Sequence, residues 1–240
     1  MKAALITGAN RGIGWEIVRQ LADTGYFVYL ACRNAESGEK AANAMREQGH
    51  SNVASVFLDV TDPATIEQAV ANVNERTGSL DVLINNAGIL GERPADGKPI
   101  PVDVVRTVFE TNYFGVINVT RAFLPLLRKS PEPRIVNVTS ELGSLSLQSD
   151  PTWSFSRFKS EAYSPSKAAL NMYTVILAAR LKDEPFKINT VSPGYTATAF
   201  NGYTGEKKPD DAAKIVVRYA TLGPDGPTGK FFAEGGEVPW

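Results

Sequence analysis

"TGANRGIG", residues 7–14, lies between an apolar run, "AALIT" (3–7), and a segment in which Ile13, Ile17, Val18 and Leu21 recur at helical spacing. A glycine turn between strand and helix lets the backbone approach a pyrophosphate. The helix N-terminus adds free N–H groups at the positive end of its dipole. Glycine triplets also occur as plain turns, but here "FVYLAC" (27–32) follows as the next buried strand, so the turn opens a strand–helix–strand unit. That context selects the phosphate cradle. Gly8, Asn10, Arg11, Gly12, Ile13 and Gly14 are therefore assigned to a dinucleotide.

The second strand decides which dinucleotide. An acid roughly 20 residues beyond the glycines takes the ribose 2′-hydroxyl of NAD. Here Cys32 and Arg33 occupy that place, and the nearest acid, Glu36, falls inside the next helix. Arg33, with Arg11 in the turn itself, suits a 2′-phosphate, so NADPH/NADP+ is expected over NAD(H). The bland alternative is that both arginines are solvated surface charges.

Beyond this unit, short apolar runs keep alternating with helical patterns. "VASVFLDV" (53–60), "LDVLINNAG" (80–88), "RIVNVTS" (134–140), "KINTVS" (187–192) and "GKFF" (229–232) read as strands. Helices are expected behind Asp62 and Pro63, over 101–129, near 163–182 and near 209–221. The alternation implies an α/β fold, a doubly wound parallel sheet of the Rossmann type with about seven strands and helices on both faces. No linker or repeat divides the chain, so 1–240 is expected to be a single domain. Two segments break the rhythm: the serine-rich 141–161, which reads as an insertion, and 195–209, which reads as a substrate loop.

Composition removes several function classes. With 25 basic and 26 acidic residues spread along the chain, nothing favours a nucleic-acid or anionic-membrane partner. The single cysteine permits no intrachain disulfide and fits a reducing compartment. The single histidine, His50, leaves no basis for a histidine metal site, and its polar surroundings read as a solvated loop. "MKAALIT" is too short for a signal h-region, and no stretch reaches the ~20 apolar residues of a membrane span. A cytoplasmic protein without metal is expected.

The chain resembles the short-chain dehydrogenase/reductase family over nearly its whole length. The residues that carry the resemblance are Thr7, Gly8, Gly12 and Gly14, "NNAG" (85–88), "TNYFG" (111–115), Ser140 closing a strand, Tyr163 and Lys167 as YxxxK, and Pro193–Gly194. Within the family it is most similar to the NADPH-dependent carbonyl reductases, through "GxNxGIG", the arginine after the second strand, "LDVLxNNAGI" and "GPTGKFFAEGGEVPW". The resemblance implies further cofactor contacts. Asp59 and Val60 would bracket the adenine, although Asp59 also suits a turn cap. Asn86 and Gly88 would lie along the cofactor, and Pro193, Gly194 and Thr196 would pass the nicotinamide.

It also implies the chemistry. Tyr163 is the proton donor for a carbonyl that takes hydride from the cofactor. A phenol with its ordinary pKa near ~10 is poorly matched to neutral pH. Lys167 would lower it and hold the nicotinamide ribose. Ser140 would hydrogen-bond the carbonyl oxygen as charge develops, and Asn112 would anchor a water that returns protons through Lys167. The partner is a small-molecule carbonyl compound: an aldehyde, ketone or quinone. Two alternatives remain, an NADP-dependent alcohol or steroid-type dehydrogenase working toward oxidation and an idle NADP(H)-sensing protein.

Residues 141–162 put Ser140 and Tyr163 further apart than most of the family does. Trp153, Phe155 and Phe158 in that stretch either line the substrate site or form a satellite core under a long loop. Tyr195, Phe200 and Tyr203 pose the same choice, and Ser140, Trp153, Tyr195 and Phe200 are the candidate substrate contacts. "ALNMYTVILAARL" (169–181) is apolar nearly all round, as in a helix buried on both sides. The insertion would cover that face, so a monomer is preferred over a homodimer. Finally, Pro165 between Tyr163 and Lys167 requires the helix to begin at about Tyr163, where a missing N–H breaks no intrahelical bond.

Overall fold

The computed structural model describes residues 1–91 and 99–240. Eight strands form one sheet in the order β3-β2-β1-β4-β5-β6-β7-β8. The first seven run parallel: β1 (Ala3–Thr7), β2 (Phe27–Cys32), β3 (Val53–Phe57), β4 (Val82–Asn85), β5 (Arg134–Val138), β6 (Lys187–Val191) and β7 (Phe231–Ala233). A two-residue strand, β8 (Gly236–Glu237), turns back antiparallel on β7 and was not foreseen. The order reverses direction between β1 and β4, and in open α/β sheets ligands bind at that switch point, beyond the C-terminal strand ends.

Strand residues alternate between two cores, as a period of two requires. Leu5, Tyr29, Leu83, Ile135 and Ile188 face one layer with Val73, Val119, Phe123 and Leu177, from α3 (Pro63–Thr77), α5 (Gly115–Leu127) and α7 (Tyr163–Arg180). Ile6, Val28, Leu30, Ile84 and Val136 face the other, with Ile17, Leu21, Met45 and Val216 from α1 (Gly12–Asp23), α2 (Ala35–Glu47) and α8 (Pro209–Ala220). Helices thus cover both faces, and the apolar stripe of α1 is the one read from Ile17, Val18 and Leu21.

The long 101–129 helix is interrupted. α4 (Val102–Phe109) passes into a π-helical turn, Glu110–Phe114, before α5 begins. Asn112 sits in that turn, fully buried. Other helices match the sequence more simply. Asp62 caps α3 by accepting from Ala64 N at 2.9 Å, with Pro63 at the first helical position.

α7 begins at Tyr163, whose N–H donates to Ser160 Oγ at 3.0 Å. Pro165 is its third residue, among the first four whose N–H groups have no intrahelical acceptor, so the proline costs no bond.

Two expectations fail for one reason, the exposure that tertiary packing imposes. His50 lies in a loop as expected but is not freely solvated: its side chain is 14% exposed, with Nδ1 3.5 Å from Asp23 Oδ1. α7 is not buried on both sides either, because Met172 and Ile176 stand 60% and 44% exposed. Phe114 on the neighbouring helical stretch is open as well. The insertion leaves this face uncovered, so coverage no longer argues for a monomer.

Candidate active site

A cavity of about 940 Å³ runs along the C-terminal ends of β1, β2, β4, β5 and β6. Every residue assigned to the cofactor from the sequence lines it, from Gly8 in the turn to Thr196 beyond β6. Ser140, Trp153, Tyr195 and Phe200 line it too. Asn112 does not; it lies one layer behind.

At one end stands the glycine turn. Gly8 and Gly12 have φ of 63° and 59°, the left-handed region that favours glycine. A Cβ on Gly14 would fall 2.6 Å from Asn86 Nδ2 and 2.7 Å from Gly8 O. Asn86 Nδ2 instead donates to Thr7 O at 2.8 Å and Gly8 O at 3.1 Å, so its amide nitrogen pins the turn to the end of β4. Thr7 Oγ1 accepts from both Asn86 N and Ala87 N at 3.0 Å and completes the clamp.

The N-terminus of α1 has no side-chain cap: Arg11 precedes it in extended conformation and makes no capping bond. Free helix amides facing a glycine turn fit a pyrophosphate.

Arg11 and Arg33 both line this end and are exposed, and neither pairs with a carboxylate among the described residues. Asn34 caps α2 by accepting from Ser37 N at 2.8 Å, and Ser37 Oγ accepts from Asn10 Nδ2 at 3.1 Å, which joins the two loops that carry the arginines. Asp59 Oδ1 accepts from Thr61 N at 2.9 Å and Thr61 Oγ1 at 2.7 Å. Its turn-forming role is therefore real, and one carboxylate oxygen remains for the cavity.

At the other end, Tyr163, Lys167 and Ser140 converge. α7 supplies the first two, one turn apart on the same face. A buried polar ladder fixes that helix against the sheet. Asn85 Nδ2 donates to Asn137 Oδ1 at 2.8 Å, Asn137 Nδ2 to Thr174 Oγ1 at 2.9 Å, and Thr139 Oγ1 to Asn171 Oδ1 at 2.8 Å. Gly143, in the 3-10 turn after Ser140, packs so tightly on α7 that a Cβ there would lie 2.8 Å from the Lys167 backbone.

Lys167 is 4% exposed and donates from Nζ to Val138 O at 2.9 Å. Burial pushes its pKa down to about 8.

Burial also pushes the Tyr163 phenol well above the usual tyrosine range, and the Ser140 hydroxyl beside it only partly opposes this. The expected lowering by Lys167 is absent: with the ammonium 5.6 Å from the ring centre, desolvation of the phenol dominates. Asn112 is held by its side chain. Its amide is committed to protein, with Oδ1 accepting from Ile89 N at 2.8 Å and Nδ2 donating to Ile89 O at 2.9 Å and Ser166 Oγ at 3.0 Å.

The aromatic residues of the two irregular segments meet across the cavity. Phe155 lies 5.7 Å from Trp153, 5.9 Å from Phe158 and 6.1 Å from Tyr195, and Phe200 packs 5.8 Å from Tyr163, all ring to ring. The two readings of these residues are thus one: a satellite cluster that is also a cavity wall. The insertion behind it holds a 3-10 turn, Glu141–Gly143, and a short helix, α6 (Leu145–Ser149).

Residues 239 and 240 brace that segment: Ser144 Oγ donates to Pro239 O at 2.6 Å, and Ser146 N donates to Trp240 O at 3.0 Å. Sequence reading missed Glu141 and Leu142 in the cavity wall. Their only signal was adjacency to Ser140.

Three comparisons accord with this geometry. The short chain dehydrogenase family profile matches residues 2–209. The short-chain dehydrogenase anuI of Penicillium roqueforti is 40% identical over 224 residues, covering 91% of this chain and 88% of that protein. The structure of salutaridine reductase from Papaver somniferum superposes with a TM-score of 0.86 at 32% identity, over 98% of this chain and 100% of that one. NADPH-bound carbonyl reductase from chicken fatty liver gives 0.85 at 29% identity, over 100% and 99%. With a glycine turn at one end of the cavity and a serine, tyrosine and lysine at the other, this chain belongs to the short-chain dehydrogenase/reductase family of oxidoreductases.

Proposed function

We propose that this protein reduces an aldehyde, ketone or quinone carbonyl to the alcohol with NADPH, Tyr163 acting as general acid. The observation that carries the reading is geometric: Ser140, Tyr163 and Lys167 line one end of a cavity whose other end is the glycine turn. A phenol is protonated at neutral pH with or without the upward shift, so Tyr163 starts as a donor.

NADPH, when bound, supplies the hydride. The protein's own groups do the rest. The α1 N-terminus and the glycine turn hold the pyrophosphate, and Arg11 and Arg33 suit the 2′-phosphate. Ser140 Oγ and the Tyr163 hydroxyl converge on one carbonyl oxygen, so negative charge that develops there meets two donors. The Tyr163 proton passes to that oxygen. Lys167, charged below about pH 8, offsets the charge left on the phenol. Trp153, Phe155, Phe158, Tyr195 and Phe200 exclude water and favour an apolar substrate body.

The named reductases among the similar structures, salutaridine reductase and an NADPH-bound carbonyl reductase, support this direction and this cofactor. An idle NADP(H) sensor would have no use for Ser140, Tyr163 and Lys167 converging in one cavity.

NADPH oxidation, followed spectrophotometrically against a panel of aldehydes, cyclic ketones and quinones, tests the proposal. Turnover with at least one class is expected, reduced by roughly a hundredfold or more in Tyr163→Phe. A Tyr163→Phe variant as active as the parent, or an inert parent, overturns it.

A further inference from the structure

Glu141 follows Ser140 directly and lines the catalytic end of the cavity, yet nothing in the mechanism uses it. Asp59 is the other carboxylate among the described residues of the cavity wall, and it is engaged by Thr61 at the far end. Glu141 has no ion pair with a lysine or arginine among the described residues. Its Oε2 accepts from Ser192 Oγ at 3.4 Å, and Ser192 Oγ accepts from Gly194 N at 3.4 Å. The carboxylate therefore borders both Ser140 and the turn that leaves β6. A carboxylate in a cavity wall without a cationic partner attracts a positive charge that enters beside it.

Lys167 does not answer that need, because its ammonium is turned to Val138 O. One group alternates between neutral and positive at this end of such a cavity: a nicotinamide, uncharged when reduced and cationic when oxidised. For hydride transfer its ring must come within about 3–3.5 Å of the carbonyl carbon. That carbonyl must itself lie within hydrogen-bond reach of Ser140 and Tyr163. Glu141, next to Ser140 in the chain and bonded to Ser192 at the turn into Pro193–Gly194, borders the part of the cavity such a ring would occupy, where the oxidised ring would also meet a like charge on Lys167.

We propose that Glu141 reads the redox state of the cofactor: its carboxylate favours the oxidised, positively charged nicotinamide and offsets the repulsion from Lys167. The proposal rests on the NADP(H) reading above. Its functional consequence is directional. Loss of hydride creates the charge that Glu141 attracts, so the site favours reduced substrate with oxidised cofactor, at the expense of slower release of NADP+.

Equilibrium titrations test it without turnover. Dissociation constants for NADPH, by its fluorescence, and for NADP+, by competition, are measured for the parent, Glu141→Gln, Glu141→Asp and Ser192→Ala. Glu141→Gln keeps the shape and the acceptor for Ser192 but removes the charge. It should raise the ratio Kd(NADP+)/Kd(NADPH) by roughly five- to tenfold, the scale of one solvent-screened charge pair. Glu141→Asp keeps the charge and should stay near the parent ratio. Ser192→Ala loosens the turn but keeps the charge, and should move both constants together.

An unchanged ratio in Glu141→Gln, or a parallel rise of both constants, overturns the proposal and leaves Glu141 a tether for the turn. A parent that binds neither dinucleotide overturns the cofactor reading itself, a different result from a parent that binds both with an unaltered ratio in the variant.

Discussion

The ammonium of Lys167 donates to the carbonyl oxygen of Val138 at 2.9 Å, which anchors α7 to the end of β5 one residue pair before Ser140. The lysine is thereby fixed relative to both Tyr163 and Ser140, at the cost of burying a charge. Its folded pKa of about 8 lies below the ordinary lysine value of 10.5, so the folded state binds fewer protons than the unfolded chain between those limits.

Activity and stability should therefore separate on the alkaline side. The proposed carbonyl reduction should decline as pH rises through about 8, because Lys167 would lose the charge that offsets the phenolate. Over the same range this group's contribution to stability increases, since the penalty for burying its charge is relieved. Rate profiles and thermal melts at matched pH check both limbs. A decline in rate that tracks a fall in melting temperature would contradict the assignment to Lys167.

Arg11 and Arg33 should confer the preference for the phosphorylated dinucleotide. Charge-assisted bonds to phosphate contribute about 1.5–3 kcal/mol each. Solvent exposure reduces this, so Arg33→Ala should weaken NADPH binding by roughly tenfold and leave NADH unchanged. Added salt should weaken the parent more steeply than the variant, which keeps Arg11. Equal loss for both dinucleotides would show that the arginine serves the fold.

Asn112 should behave unlike the other catalytic candidates. Asn112→Ala leaves Ile89 N, Ile89 O and Ser166 Oγ without their partner in a buried place. A loss of about 2–4 kcal/mol is expected in a denaturant titration, together with reduced turnover. Tyr163→Phe, by contrast, should leave the denaturation midpoint within about 1 kcal/mol of the parent. A stable, inactive Asn112→Ala would move this residue from scaffold to chemistry.

The aromatic wall should act on substrate and not on cofactor. Trp153→Ala should raise KM for bulky ring ketones by roughly tenfold or more and change it little for short aldehydes, as loss of apolar contact predicts. NADPH affinity should not move. If it does, the wall reaches further along the cavity than the ring contacts show.

The glycine turn was legible because strand, turn and helix occupy about 20 consecutive residues, and each part declares itself locally. The start of α7 at Tyr163 was legible for a similar reason: a proline restricts where a helix can begin. What escaped the sequence depends on distant partners. The π-turn at Glu110–Phe114 is a shift in hydrogen bonding that accompanies a buried asparagine bonded to Ile89 and Ser166. β8 is two residues long and carries no periodicity.

The exposure of Met172 and Ile176 follows from what packs beside α7, which composition does not encode. The raised Tyr163 pKa depends on how fully the phenol is desolvated, and YxxxK spacing says nothing about that.

The brace that Pro239 and Trp240 give to Ser144 and Ser146 has a consequence for biosynthesis. A chain leaves the ribosome N-terminus first. The strands that carry the glycine turn, β1 to β4, are complete once Asn85 has emerged, whereas the segment behind the aromatic wall waits for residues made some 150 positions later. The segment behind the aromatic wall therefore gains this support only after every residue of the glycine turn and of the Ser140–Tyr163–Lys167 group has been made.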